Sequence, residues 1–71
     1  MQETQDIQEV IGQSAGQIWQ YLNNKGEVTL NKMKKELDLE GNFAEFGLGW
    51  LAREEKIEFT KGPRSVKVRL R

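Results

Sequence analysis

The chain contains no cysteine and no histidine. Without cysteine there is no disulfide, no thiolate nucleophile and no thiol redox chemistry. Without either residue the common donor sets for zinc and other transition metals are missing, so no metal and no cofactor is expected. No apolar run approaches the length of a membrane span, and Met1 to Asp6 is polar and acidic, unlike a signal peptide. The expectation is a cytoplasmic domain without membrane contact. Groups for catalysis are equally scarce. Ser14 falls on a helical pattern and Ser65 in a turn, neither beside a base. Glu54 and Glu55 are neighbours on a helix and point about 100° apart, which makes no carboxylate pair. Gly47 and Gly49 sit inside a helical pattern, not in a phosphate-binding loop between strand and helix. Neither an enzyme nor a small-molecule substrate is expected.

What remains suits one small globular unit. The 71 residues are 37% hydrophobic, enough for a single core. One domain is expected over residues 1–71, with 1–5 as a frayed lead-in. Eleven bases balance eleven acids, but unevenly. Residues 1–24 hold Glu3, Asp6 and Glu9 with no base, and residues 56–71 hold six bases against Glu58. Such a chain can show a basic face near its C-terminal end without a general attraction for polyanions.

Periodicity divides the chain into six elements. Residues from about 5 to 24 carry Ile7, Val10, Ile11, Ser14, Ala15, Ile18 and Leu22 at helical spacing, with Thr4 placed to cap and Asp6 in the first turn. Gly12 and Gly16 lie four apart on this helix, and each costs it roughly 1 kcal/mol against alanine. Another element is therefore expected to cross closely there. Trp19 and Tyr21 flank the stripe at the edge of the core. Asn23 to Gly26 reads as a stop, and residues near 27–29 as a short strand that can join a sheet. Thr29 caps a second helix, 30–38, with Leu30, Met33 and Leu37 facing inward. Gly41 turns the chain. Asn42 and Glu45 then match the capping-box spacing for a third helix, 42–55. That helix runs into an alternating strand, 57–61. Gly62 and Pro63 suit a hairpin loop, and 65–70 returns with Val66, Val68 and Leu70 on one face and Lys67, Arg69 and Arg71 on or beside the other. The fold class is mostly α, α+β, ending in a β-hairpin.

The stretches Ala15–Leu22 (AGQIWQYL), Gly26–Leu30 (GEVTL) and Gly47–Ile57 (GLGWLAREEKI) resemble a small prokaryotic winged helix-turn-helix family catalogued as a domain of unknown function. The likeness covers roughly residues 7 to 70, and the GWLARE run is its most specific part. It implies a winged-helix fold and a loose association with transcription regulators. It implies no ligand, partner or essential residue, since fold alone does not carry function.

Two binding readings follow. In DNA-binding winged helices the third helix reads bases while the second helix and the wing touch phosphates. The cations for that role are Lys61, Arg64, Lys67, Arg69 and Arg71 on the wing, with Lys32 and Lys35 on the second helix. Only Asn42 and Arg53 on the third helix suit a base edge, and they stand at opposite ends of it. The other reading is apolar. Phe43, Phe46 and Trp50 form a second stripe beside the core face of Ala44, Gly47, Leu48 and Leu51, widening the apolar arc to roughly 200°. The first expectation is that one or two of these aromatics pack inside. Where they do not, they mark an interface with a second copy or another protein. Nucleic-acid binding through the wing is placed narrowly first on the strength of the resemblance. The residues taken alone favour the apolar interface.

Overall fold

In a computed structural model, which describes residues 6–71, helix α1 spans Ile7–Lys25. The Asp6 carboxylate accepts from the Gln8 N–H at 3.0 Å, so Asp6 is the cap itself and not a first-turn residue. The expected Thr4 cap and the frayed lead-in, 1–5, lie outside the described residues. At the other end the Gly26 N–H donates to the Leu22 carbonyl at 2.8 Å with φ at +79°, a conformation open to glycine. Strand β1, Val28–Thr29, leads directly into α2, Leu30–Leu37, where Thr29 Oγ1 accepts from the Lys32 N–H at 3.2 Å. Asp38 and Gly41, both at positive φ, turn the chain toward α3, Phe43–Arg53.

Three expectations at α3 change. Asn42 precedes the helix but makes no side-chain cap, because its backbone, φ −103° and ψ 17°, lacks the extended conformation that aims a capping side chain at the first turn. Glu45 does not reach back to the cap; it pairs with Lys34 and ties α3 to α2. The hydrogen bond from Lys34 holds the Glu45 carboxyl below the usual carboxylate range. The helix also stops at Arg53 and not at 55. The Lys56 N–H donates to the Leu51 carbonyl at 3.0 Å, and the Glu55 N–H to the Ala52 carbonyl at 3.0 Å. This is a Schellman ending with Glu55 in the left-handed position, φ +60°, where glycine is the usual residue. Glu55→Gly is therefore expected to raise stability by roughly 0.5–1 kcal/mol, read as a higher urea midpoint. The 3.3 Å contact of Glu55 with Arg71 is largely exposed and subtracts little.

Strands β2, Ile57–Lys61, and β3, Val66–Leu70, form the hairpin wing, and β1 pairs with the other edge of β3 to give the antiparallel order β1-β3-β2. The register places Val28 and Phe59 opposite Val68, and Ile57 opposite Leu70. Every element contributes to one core. Ile18 and Leu22 from α1, Met33 from α2 and Val68 from β3 are fully buried, with Leu48 and Leu51 from α3 and Ile57 from β2 packed around them. Leu30 and Leu37 are partly buried against this cluster.

The close crossing is not where the α1 glycines lie. A Cβ on Gly12 or Gly16 would meet nothing within 4 Å, whereas one on Gly47 would lie 2.9 Å from Ile18 Cδ1 and 3.1 Å from the Ala15 nitrogen. Helix α3 thus crosses α1 at Gly47, over Ser14, Ala15 and Ile18. The crossing leaves the first two turns of α1 uncovered. Ile7, expected in the core stripe, is 61% exposed, and Val10 and Ile11 are only partly covered.

Candidate functional site

The crossing at Gly47 also decides which side of α3 faces outward. At 100° per residue, Leu48 lies to one side of Gly47, toward the sheet, and Phe43, Phe46 and Trp50 lie to the other. The core face is as expected: Ala44, Gly47, Leu48 and Leu51 are all buried. Of the aromatic stripe, only Phe43 is partly buried. Phe46 is 49% exposed and Trp50 44% exposed. Phe43 and Phe46 meet edge to face, with ring centroids 6.0 Å apart at 68°.

This aromatic flank adjoins the uncovered part of α1. Phe43 lines a recess with Val10, Gln13 and Leu39. Trp50 lines a second groove, of about 330 Å³, together with Gly12, Gly16 and Trp19 of α1. Glu54 and Lys56, paired at 3.4 Å, also line it. Trp19 is 39% exposed. The flank of α3 thus borders two separate recesses beside α1, Phe43 with Val10 at one and Trp50 with Gly12 and Gly16 at the other, while Phe46 and Ile7 stand exposed. The sequence placed Phe43, Phe46 and Trp50 as the outward candidates and assigned Ile7, Val10 and Ile11 to the core stripe, where the structure leaves them exposed or partly covered.

The cations are less concentrated than the sequence implied. Arg69 donates to Glu58 Oε1 from Nε at 3.2 Å and from Nη2 at 2.9 Å. Arg71 contacts Glu58 and Glu55, each at 3.3 Å. Glu58 sits across the ladder from Arg69, so the expected basic face carries a carboxylate at its centre. The hydrogen bond from Arg69 lowers the Glu58 pKa, and its charge adds to the effect. Lys61, Arg64 and Lys67 have no acidic partner among the described residues. They do not share one face: Lys61 has the strand parity of Ile57, Lys67 the opposite parity, and Arg64 stands in the loop. Phe59 is 46% exposed although Val68 opposite it is fully buried, because β2 is an edge strand and β3 the central one. Lys32 and Lys35 are exposed on α2, and Asn42 and Arg53 are exposed at opposite ends of α3. Tyr21 donates to Glu36 at 2.5 Å, and burial followed by that bond pushes its pKa up to about 12. Among the described residues no cluster of acidic side chains is placed to hold a metal. No described helix is long and apolar enough to cross a membrane.

Three helices, a three-stranded antiparallel sheet and a hairpin that flanks the third helix define a winged helix-turn-helix domain. The chain belongs to the winged helix-turn-helix domain family DUF2582, which it matches over residues 1–70. An uncharacterised protein of Methanocaldococcus jannaschii is 36% identical over 70 residues, spanning 94% of this chain and 99% of that relative. The solution NMR structure of a protein from Bacteroides thetaiotaomicron has a TM-score of 0.80 at 22% identity, over 92% of this chain and 79% of that one. That likeness is one of fold.

Proposed function

We propose that the domain is a protein-interaction module that works through the apolar face of α3. The observation that carries this reading is the exposure of Phe46 and Trp50, 49% and 44%, at the positions where a base-reading helix presents donors and acceptors. Large aromatic side chains in a partly concave, charge-rimmed setting are the usual anchors of protein interfaces. Glu45 on the same helix offers no donor to a base edge, and its pairing with Lys34 takes up a cation that phosphate would otherwise meet.

A second reading is supported by one feature, the unpartnered Lys61, Arg64 and Lys67 of the wing. It makes the domain a phosphate-contacting module with little sequence choice. A photo-crosslinking residue placed at position 46, and separately at position 64, distinguishes the two in cells expressing the protein. Position 46 is expected to yield protein adducts and position 64 none with nucleic acid. Nucleic-acid adducts at both positions, with no protein adduct at 46, overturn the interaction reading. Duplex titrations give an independent check. Affinity that falls steeply with salt and weakens on Arg64→Ala with Lys67→Ala supports the wing.

A further inference from the structure

Both tryptophans of the chain, Trp19 and Trp50, line the groove between α1 and α3, and both are substantially exposed. We propose that this groove receives an arginine side chain presented by a partner protein. The proposal rests on the interaction reading above, since Trp50 belongs to the same flank of α3, and it names the chemistry the partner brings.

Room for that side chain comes from glycine. Gly12 and Gly16 line the groove, and an added Cβ at either would meet nothing within 4 Å. Each weakens the helix relative to alanine, and nothing within the domain packs into the space it leaves. The volume of about 330 Å³ is small for a whole ligand and ample for one long side chain.

Charge selects a cation. Glu54 lines the groove, together with Trp50 and Leu51 from the C-terminal turn of α3, the negative end of that helix's dipole. Glu9 stands three residues before Gly12. On the helical wheel it lies about 60° from Gly12 and about 20° from Gly16, so it continues the same side of α1. From Asp6 to Asn24 this helix carries no base. The indole faces are themselves electron-rich and attract cations. Lys56 also lines the groove, and its 3.4 Å pair with Glu54 is the contact an incoming guanidinium replaces. Both members of that pair are about half exposed, so it holds weakly. Arg53 points about 100° away from Glu54 around α3. Arg71, whose N–H donates to the Lys56 carbonyl, has its guanidinium on Glu55 and Glu58.

Shape separates arginine from lysine. A guanidinium is planar and weakly hydrated. It can stack on an indole while its edge donates two parallel bonds to one carboxylate. An ammonium has no flat face and gives up its water less readily.

NMR titration of isotopically labelled protein with N-acetylarginine methylamide, at constant ionic strength, tests the chemistry. The two indole N–H signals report on the groove directly, because the chain has no other tryptophan. Both are expected to shift, with a dissociation constant of about 1–10 mM, the strength of a few weak contacts to one side chain. N-acetylcitrulline methylamide has nearly the same shape without the charge and should bind about tenfold more weakly. Glu54→Gln is expected to weaken arginine binding about fivefold and Lys56→Gln to tighten it about twofold. Loss of a merely structural ion pair would not separate the two. Gly12→Ala with Gly16→Ala should raise the unfolding temperature yet weaken binding. Indole signals that ignore the arginine probe, or that answer citrulline equally, overturn the proposal.

A photo-crosslinking residue at position 20, which also lines the groove, tests the source of the arginine. Protein adducts whose crosslinked segment contains arginine, diminished by Glu54→Gln, are expected. Protein adducts at position 46 with none at 20 overturn the groove and leave the interaction module standing. Their absence at both positions removes both.

Discussion

Gly47→Val is expected to cost about 3 kcal/mol or more, a large part of the roughly 4–10 kcal/mol that stabilises a domain of this length. The reason is the distance between helix axes at the α1–α3 crossing. A single Cβ at position 47 would stand 2.9 Å from Ile18 Cδ1, 3.1 Å from the Ala15 nitrogen and 3.2 Å from the Ser14 carbonyl carbon. The Ile18 methyl can rotate away. The backbone of α1 can yield only by separating the helices, and that would loosen Ile18, Leu22, Leu48 and Leu51 together. Alanine at 47 is the intermediate case. It gains roughly 1 kcal/mol of helix propensity against an overpacking cost of about 1–3 kcal/mol, so a modest net loss is expected. Valine adds two more methyl groups at the same point. Urea unfolding followed by circular dichroism measures each loss. Gly12→Ala and Gly16→Ala are the controls: with no atom within 4 Å they should stabilise by up to about 1 kcal/mol each. A Gly47→Val protein as stable as the wild type would mean that the helices do not cross there.

The same three glycines show how far the sequence can be read. Helix α1 was legible as an amphipathic stripe, and its glycines signalled a close approach, but spacing alone does not say whether the approaching element belongs to the same chain. On the helical wheel Gly12 and Gly16 lie well off the direction of Ile18, whereas Gly47 falls inside the stripe of Ala44, Leu48 and Leu51. Position within the core stripe was the better indicator of an internal crossing. Element order, the Thr29 cap and the alternation from Val66 to Leu70 were all legible, because each is set by neighbours in sequence or by a period. The ending of α3 was not. Glu55 occupies a left-handed position that glycine usually fills, so its residue type carried no signal. Nor was the neutralisation of Arg69 and Arg71, which depends on Glu58 standing opposite Arg69 across the ladder. Strand alternation identified the outward basic positions but gave no weight to the single acid among them. The wing thus read as more basic than it is, and the aromatic flank of α3 as more buried than it is.

Ile18→Ala and Ile7→Ala are expected to give opposite results, though both residues belong to the same stripe. Ile18 is fully buried among Leu22, Met33, Leu48 and Val68, and its Cδ1 lies at the Gly47 crossing. Truncation there removes the transfer energy of three carbons and leaves a cavity that α3 can only partly close, a loss of about 2–5 kcal/mol. Ile7 is 61% exposed, so its truncation leaves no cavity and should change monomer stability by no more than about 0.5 kcal/mol. Unfolding measured at low protein concentration isolates these monomer terms. An Ile7→Ala protein that loses as much stability as Ile18→Ala would instead place Ile7 in the core.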